Sequence, residues 1–425
     1  MSGPRKAWVV GAGLAGLSAA VQLTRAGVKV RLVEAAPRAG GRCRSYFDEK
    51  LGQVIDNGNH FVFSGNQAVA RFRGIVGGAG TLAGPDKATF AFHDLADDAR
   101  WQMKVNAGPL PWWVLNPANR APGTTLAQHA GLARLALERN RSVSIGERMA
   151  AQGQFWRRVV EPMMLAVLNC PAEQGSAWLA GRFLRESFVR GGQACRTLVA
   201  LPTLEAAFVT PAVDWLRLRG VEPIFSTRLR GLEFADGAVS ALDLAGGREV
   251  LHAGDAVVLA VPPWVAADLV PGLTVPTRHS AIVNLHYALA PPPGAPLITA
   301  LLGATGQWVV AHDNRISVTI SGADALVDRD REALASEVWG EVARTLGLTG
   351  PMPAWQVVKE KRATFAATAE QDALRPPAQT QWPNLFLAGD WVQNGLPATI
   401  EGALRSGEVA ARLALDGAIG YGARP

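Results

Sequence analysis

Near the start of the chain an apolar run, Ala7-Trp8-Val9-Val10, leads into Gly11-x-Gly13-x-x-Gly16, and a second apolar run, 28–33 (VKVRLV), ends at Glu34. No other feature constrains the fold so tightly. Read as a strand over 7–10, a helix over 14–26 and a strand over 28–33, it opens a doubly wound parallel sheet. The first glycine permits the tight strand-to-helix turn. Gly13 lets the backbone approach a pyrophosphate, and Gly16 lets helix and strand pack. A pyrophosphate placed there faces the free N–H groups and the positive dipole end of the helix. Glu34 ends the second strand, where a carboxylate can accept from ribose hydroxyls. Ala20, Leu23 and Gly27 complete the unit. Arg5 and Lys6 ahead of small apolar residues imitate a signal peptide, but the glycine spacing explains that run better.

The rest of the chain alternates between two kinds of sequence. Residues 66–190 are Trp-rich and read as mostly helical, with GIVGGAG at 74–80 as a loop. Stretches 221–262 return to strands: IFSTRLRGLEF, AVSALDL and EVLHAGDAVVLAVPP read as a meander feeding a sheet strand that ends at Pro262. Further strands are expected over 280–321, a helix over 329–347, a buried strand over 384–389 and a last helix from about Pro397. The layout predicts an α/β protein: a Rossmann-like nucleotide-binding domain in three pieces (1–70, 196–270, 356–425). An α+β substrate domain is interleaved in two, a mainly helical 71–195 and a sheet-and-helix 271–355.

Past Glu34 comes Gly40-Gly41-Arg42-x-x-Ser45, and near the other end Leu387-Ala388-Gly389-Asp390, Glu401-Gly402-Ala403 and Ser406-Gly407. Together these resemble the glycine and aspartate motifs of the amine oxidase and carotenoid desaturase superfamily of FAD enzymes. The resemblance implies FAD as cofactor, with Arg42 facing pyrophosphate and flavin. It places Asp390 on the ribityl chain and the backbone of Leu229 at the adenine. The last helix, from Thr399, Ile400 and Glu401, would point its positive end at the flavin pyrimidine, favouring the anionic reduced ring.

Within that superfamily, Asp56-Asn57-Gly58-x-His60, Leu168-Asn169, the KEKRATFAAT run at 359–368 and Gly395-Leu396-Pro397-Ala398-Thr399-Ile400-Glu401-Gly402 resemble the hydroxysqualene dehydroxylases. Two departures are visible, Asn59 for an expected Gln and Asn394 for an expected Thr; both keep polarity. The resemblance implies reductive dehydroxylation of hydroxysqualene to squalene in hopanoid synthesis, by flavin hydride transfer to an allylic cation. It calls for a dry apolar tunnel, an acid near the hydroxyl and fixed geometry. A carotenoid-type desaturase is the alternative reading, and a non-catalytic escort of prenyl lipids a third. Amine oxidation fits poorly. Thr399 stands where a cage tyrosine lies in amine oxidases, no lysine occurs between Lys104 and Lys359, and the chain has 3 Tyr in all.

Three side chains are candidates for the chemistry. His60 is either the acid or a loop-holding hydrogen-bonder. Asp56 is either chemical or the cap of the Asn57-Gly58 turn. His286, on an alternating strand, either faces the cavity or is a satisfied core histidine. Cys43, Cys170 and Cys195 form no CxxC pair, so neither a metal site nor a disulfide framework is indicated. Net charge is +6, from scattered arginines that suggest no nucleic-acid partner. Trp112 and Trp113, set among prolines, suit a membrane interface, with core packing as the competing view. A cytoplasmic chain, peripheral on the inner membrane face, is expected. One dinucleotide fingerprint implies an electron donor outside this chain, of unidentified nature.

Overall fold

The computed structural model describes residues 6–78 and 82–421. Four strands from distant parts of the sequence form one parallel sheet, in the order Leu385–Leu387, Ala256–Leu259, Lys6–Val10, Lys29–Val33. Its central strands are buried on both faces, as their near-continuous apolar sequence requires. The helices Leu14–Arg25 and Ile400–Tyr421 both pack on this sheet and on each other. Small residues allow the close approach. A Cβ on Gly407 would stand 2.2 Å from the Ala15 carbonyl oxygen, and Ser18 Oγ donates to the Leu404 carbonyl at 2.8 Å. The two ends of the sequence are thereby joined beside the glycine loop.

The run expected as one strand from Ile224 is divided. Ile224 extends the sheet edge, its N–H donating to Leu32 and its carbonyl accepting from Glu34. Ser226 then adopts φ +54° and turns the chain away, so the strand proper begins at Leu229. It leads a meander of Leu229–Ala235, Ala238–Leu244 and Gly247–Val250. The strand that returns to the sheet ends at Leu259, short of Pro262.

A second, seven-stranded sheet has the order Trp355–Phe365, His279–Tyr287, Ile316–Ser321, Trp308–Ala311, Ile298–Leu302, Thr89–Asp94, Ala99–Lys104. Two corrections follow. The stretch read as mainly helical contributes two strands: ARWQMK alternates apolar and polar residues and pairs with TFAFHD around a tight turn with Asp98 at φ +59°. Helices Leu126–Ala136, Glu161–Leu168 and Ala177–Glu186 occupy the rest of it. Trp355–Phe365 hydrogen-bonds along His279–Tyr287, so the break placed between 355 and 356 moves beyond Phe365. In the glycine-rich run, Gly74 to Val76 complete the helix Gln67–Val76. Gly77 and Gly78 stop it with positive φ, and residues 79 and 80 lie outside the described residues. No described helix is long and apolar enough to cross a membrane.

Candidate functional site

The glycine loop is shaped for a group that touches bare backbone. Gly11 has φ +104°, and a Cβ there would stand 2.3 Å from the Ala260 carbonyl oxygen; one on Gly16 would stand 1.8 Å from the Gly11 carbonyl oxygen. A Cβ on Gly13 would meet no protein atom within 4 Å. Gly13 also caps the helix Leu14–Arg25 with no side-chain hydrogen bond and no acidic residue in the first turn. The helix therefore presents free N–H groups to an open cradle, which suits an anion. Glu34 Oε2 accepts from Ala12 N–H at 2.7 Å, and Oε1 from Ala36 N–H at 2.8 Å. These bonds hold the carboxylate at the lip of the cradle. Thr227 N–H donates to the Glu34 carbonyl, which brings the start of the Leu229 strand to the same end of the sheet.

The second glycine motif lies over the first. Gly40 N–H donates to the Ala12 carbonyl at 2.8 Å, and a Cβ on Gly41 would stand 3.3 Å from Gly13 Cα. Arg42 then reaches out of this pair, donating to Asp390 Oδ1 at 2.5 Å and to the Ala363 carbonyl at 2.6 Å. Motifs separated by 348 residues meet in that ion pair. Gly389 N–H donates to Ser406 Oγ at 3.0 Å, which ties the aspartate loop to the last helix. That helix starts at Ile400, not Pro397. Arg375 holds the Leu396 carbonyl, and Thr399 Oγ1 caps the Gly402 N–H at 3.0 Å. Glu401 is buried and faces away from this cradle. Its oxygens accept from Ala68 and Val69 N–H at 3.1 and 3.0 Å and from Arg405 at 3.0 Å. It caps the helix Gln67–Val76 across the fold.

His60 is half-buried on the loop that follows Asp56. Its Nδ1 lies 3.2 Å from the Gly58 carbonyl, which can only accept, so Nδ1 carries a proton there and Nε2 is turned outward from the loop. Burial and then the neighbouring Arg42 cation lower its pKa, and Asp390 acts the other way. His60 therefore shares the electrostatic neighbourhood of the Arg42–Asp390 pair. Phe61 packs edge-on against Trp308, with ring centroids 5.7 Å apart. The loop is clamped from the seven-stranded sheet. Asn284 Nδ2 donates to the Asn57 carbonyl at 3.3 Å, and its Oδ1 accepts from Thr319 Oγ1 at 2.8 Å. Asn59 Nδ2 donates to Thr319 Oγ1 at 3.0 Å.

The other two catalytic candidates, Asp56 and His286, lie in buried, hydrogen-bonded positions. Asp56 is buried and does not cap its own turn. Its Oδ1 accepts from Ser45 Oγ at 2.6 Å and from Leu204 N–H at 2.9 Å, so it joins two distant segments. Burial raises its pKa despite those bonds. His286 is fully buried, with Nδ1 2.9 Å from Ser317 Oγ. Burial, with Arg315 adding to it, pushes its pKa down to about 3. A neutral core histidine cannot protonate a hydroxyl near neutral pH. Cys43 and Cys170 are buried, and burial pushes both thiols up to about 12.

Sequence reasoning missed Arg375. It is buried and donates to the carbonyls of Asp390, Trp391, Val392 and Leu396, to Asn394 Oδ1 and to Asp372 Oδ1. The whole loop from Asp390 to Leu396 is organised around its guanidinium. A lone arginine in Ala-Leu-Arg-Pro-Pro carries no signal of this. Asn394, an apparent departure from the family pattern, is part of the same bracket: it also donates to the Gly402 carbonyl at 3.1 Å.

The family model for flavin-containing amine oxidoreductases matches residues 14–290 and 297–415. A hydroxysqualene dehydroxylase of Rhodopseudomonas palustris is 49% identical over 409 residues, covering 96% of this chain and 97% of the relative. A chloroplastic/chromoplastic 15-cis-phytoene desaturase of Arabidopsis thaliana is 24% identical, covering 95% of this chain and 79% of that one. Among solved structures, a putrescine oxidase with putrescine bound aligns with a TM-score of 0.69 at 17% identity, covering 96% of this chain and 98% of the other. At that identity the likeness is one of fold.

Proposed function

The chain belongs to the flavin-containing amine oxidoreductases and, within them, to the hydroxysqualene dehydroxylases, and on that premise we propose that it converts hydroxysqualene to squalene. It is an FAD-dependent oxidoreductase. The near-full-length identity to hydroxysqualene dehydroxylases carries this reading; the distant phytoene desaturase does not compete with it.

Bound in its reduced form, FAD supplies the hydride that replaces the hydroxyl. The chain's own residues do the rest. Gly13, Gly40, Gly41 and the open N-terminus of Leu14–Arg25 would receive the pyrophosphate, Glu34 the adenosine ribose and the Leu229 backbone the adenine. Arg42 and Asp390 would hold the far half of the cofactor, and Thr399 and Ile400 would present the dipole of the last helix to the flavin. His60 donates a proton through Nε2 to the departing hydroxyl, while Gly58 holds Nδ1 and Asn284 holds the loop. A lowered pKa makes the protonated imidazole scarce at neutral pH but a strong donor. The apolar walls near Phe61 and Trp308 exclude water that would compete for the activated carbon.

The substrate's apolar chain places the enzyme peripherally at a membrane surface. Reducing equivalents come from a separate protein or a diffusible donor. Anaerobic incubation of the photoreduced holoenzyme with hydroxysqualene is the test. Squalene formed in step with flavin reoxidation is expected; turnover of phytoene by the oxidised holoenzyme, with hydroxysqualene untouched, would overturn the reading.

A further inference from the structure

Large apolar side chains are unevenly exposed on this molecule. Of the ten that are solvent-exposed among the described residues, five lie in one neighbourhood: Leu110, Trp112, Leu115, Leu126 and Val189. Three separate segments build it. Asn106 ties the first together, donating to the Gly108 and Leu110 carbonyls and accepting from Trp113 N–H. Gly192 and Gln193 N–H donate to the Asn106 and Ala107 carbonyls, which sets Val189 beside that segment. Trp113 packs edge-on against His129, centroids 5.6 Å apart, which sets the helix beginning at Leu126 on its other side. The two tryptophans thus part company. Trp113 is half-buried and holds the segments together, whereas Trp112 is 63% exposed, with Leu110 at 59% and Leu115 at 56%.

Charge in these segments is one-sided. Between Asp98 and Glu138, and again between Glu186 and Glu205, the sequence contains no carboxylate, yet it carries Lys104 and Arg190, both exposed. An apolar crown built from segments that carry cations and no carboxylate complements a surface that is oily inside and negative at its boundary. A protein partner would need only part of that combination.

Behind the crown runs a chain of aromatic rings. Phe90 stacks on Phe188 at 5.6 Å between centroids, Phe188 meets Phe183 at 6.1 Å, and Phe183 meets Phe63 at 5.4 Å. Phe63 ends the short strand that begins directly after His60. The aromatic chain behind the exposed face therefore runs to the strand that follows the candidate acid.

We propose that this face docks on an anionic lipid bilayer and takes the apolar substrate from it along the Phe90–Phe188–Phe183–Phe63 path. The substrate half of the proposal rests on the function inferred above; the docking half does not. The test separates them. Holoenzyme is sedimented with phosphatidylcholine vesicles, with or without phosphatidylglycerol, in the absence of substrate, and compared with a variant carrying Leu110→Ser, Trp112→Ser and Leu115→Ser. Leu218→Ser, at an exposed leucine elsewhere, is the control. Binding that needs phosphatidylglycerol, weakens with salt and falls roughly tenfold or more in the triple variant alone is expected. The triple variant should keep its FAD, its melting temperature and its turnover of detergent-dispersed substrate, but lose turnover of vesicle-borne substrate in parallel with binding. Unchanged vesicle binding in the triple variant, or equal binding of the parent to neutral vesicles, overturns the docking proposal. Lost binding with undiminished turnover from vesicles overturns the entry path.

Discussion

A side chain at Gly13 separates the two things a glycine loop does. Gly13 has φ −71° and ψ 176°, which any L-residue adopts without strain, and a Cβ there meets no protein atom within 4 Å. Folding should not register Gly13→Ala beyond about 0.5 kcal/mol, the usual span for a substitution that touches nothing. The added methyl does occupy the space that the pyrophosphate needs. Taking the cost of overfilling a packed site as about 1–3 kcal/mol, Gly13→Ala should weaken FAD by roughly 5- to 150-fold. Gly13→Val adds two more carbons and should yield protein that purifies without flavin. Gly16→Ala is the contrast: its Cβ would stand 1.8 Å from the Gly11 carbonyl oxygen, so the apoprotein itself should be destabilised by about 1–3 kcal/mol or more. The assay is flavin released on denaturation per mole of protein, with FAD titration and thermal melts of each apoprotein. Apoproteins must be compared, because loss of a tight ligand lowers a holoprotein's melting point by itself. Stoichiometric FAD in Gly13→Val, or a Gly13→Ala apoprotein as unstable as Gly16→Ala, would refute the placement of the pyrophosphate.

Three other outcomes are expected. His60→Ala should retain FAD and lose turnover by about 10²–10⁴-fold, and His60→Gln should not restore it. Because the protonated form is the donor and its pKa lies below the ordinary value, parent turnover should rise as pH falls through that pKa and decline above it, a dependence the Ala variant lacks; near-parent rates in the Gln variant refute the role. Arg375→Leu removes the partner of Asp372 Oδ1 at 2.9 Å, leaving Arg141 on Oδ2 at 2.8 Å, and strips four loop carbonyls of their donor, so urea unfolding should show a loss of about 3–5 kcal/mol, with little change pointing to a looser loop than described. His286 and His312 each have pKa values pushed by burial down to about 3, against about 6.5 in an unfolded chain. The unfolded state then binds more protons below that value, so stability should fall as pH drops from about 6.5 towards 3; His286→Gln with His312→Gln should flatten that slope, and an unchanged slope excludes them as its source.

The parallel sheet was legible because its signal is local. Glycine spacing, a short buried run and a terminal carboxylate all lie within Lys6 to Glu34, and Leu385–Leu387 carries a comparable apolar run ahead of Gly389-Asp390. What the sequence hid is what depends on neighbours far along the chain. Thr89–Asp94 and Ala99–Lys104 are short strands at a sheet edge whose partner, Ile298–Leu302, lies far downstream. Their alternation was masked by the tryptophans and helices around them. Asp56 and His286 sit in stretches that suggest chemistry, and their burial, with the bonds of Asp56 to Ser45 and Leu204, was not readable from the sequence. Arg375 had no motif at all, since its partners are carbonyls, which a sequence does not display.

An inventory of proton carriers near the cradle narrows the chemistry further. Asp390 is ion-paired with Arg42. Asp56 has Oδ1 bonded to Ser45 and Leu204, with Arg315 3.8 Å from its Oδ2. Glu401 accepts two backbone N–H bonds and one from Arg405. Cys43 keeps its proton to about pH 12, far too weak an acid to assist a leaving hydroxyl. His286 and His312 do not hold a second proton near neutral pH. Among the described residues two half-buried histidines, His60 and His279, feel both Arg42 and Asp390; His279 is packed edge-on against Trp264, whereas His60 has its Nδ1 held by the Gly58 carbonyl. The same clamp that leaves Nε2 free also fixes its direction, because Gly58 cannot carry a side chain: a Cβ there would stand 2.5 Å from Asn284 Nδ2. Gly58→Ala should therefore push the loop off Asn284 and misdirect His60. The expected signature is a large fall in turnover with FAD content and the melting temperature nearly unchanged, since the displaced atoms belong to one side-chain amide. If Gly58→Ala turns over at the parent rate, the orientation of His60 does not matter, and the proton reaches the hydroxyl by a route that the imidazole does not control.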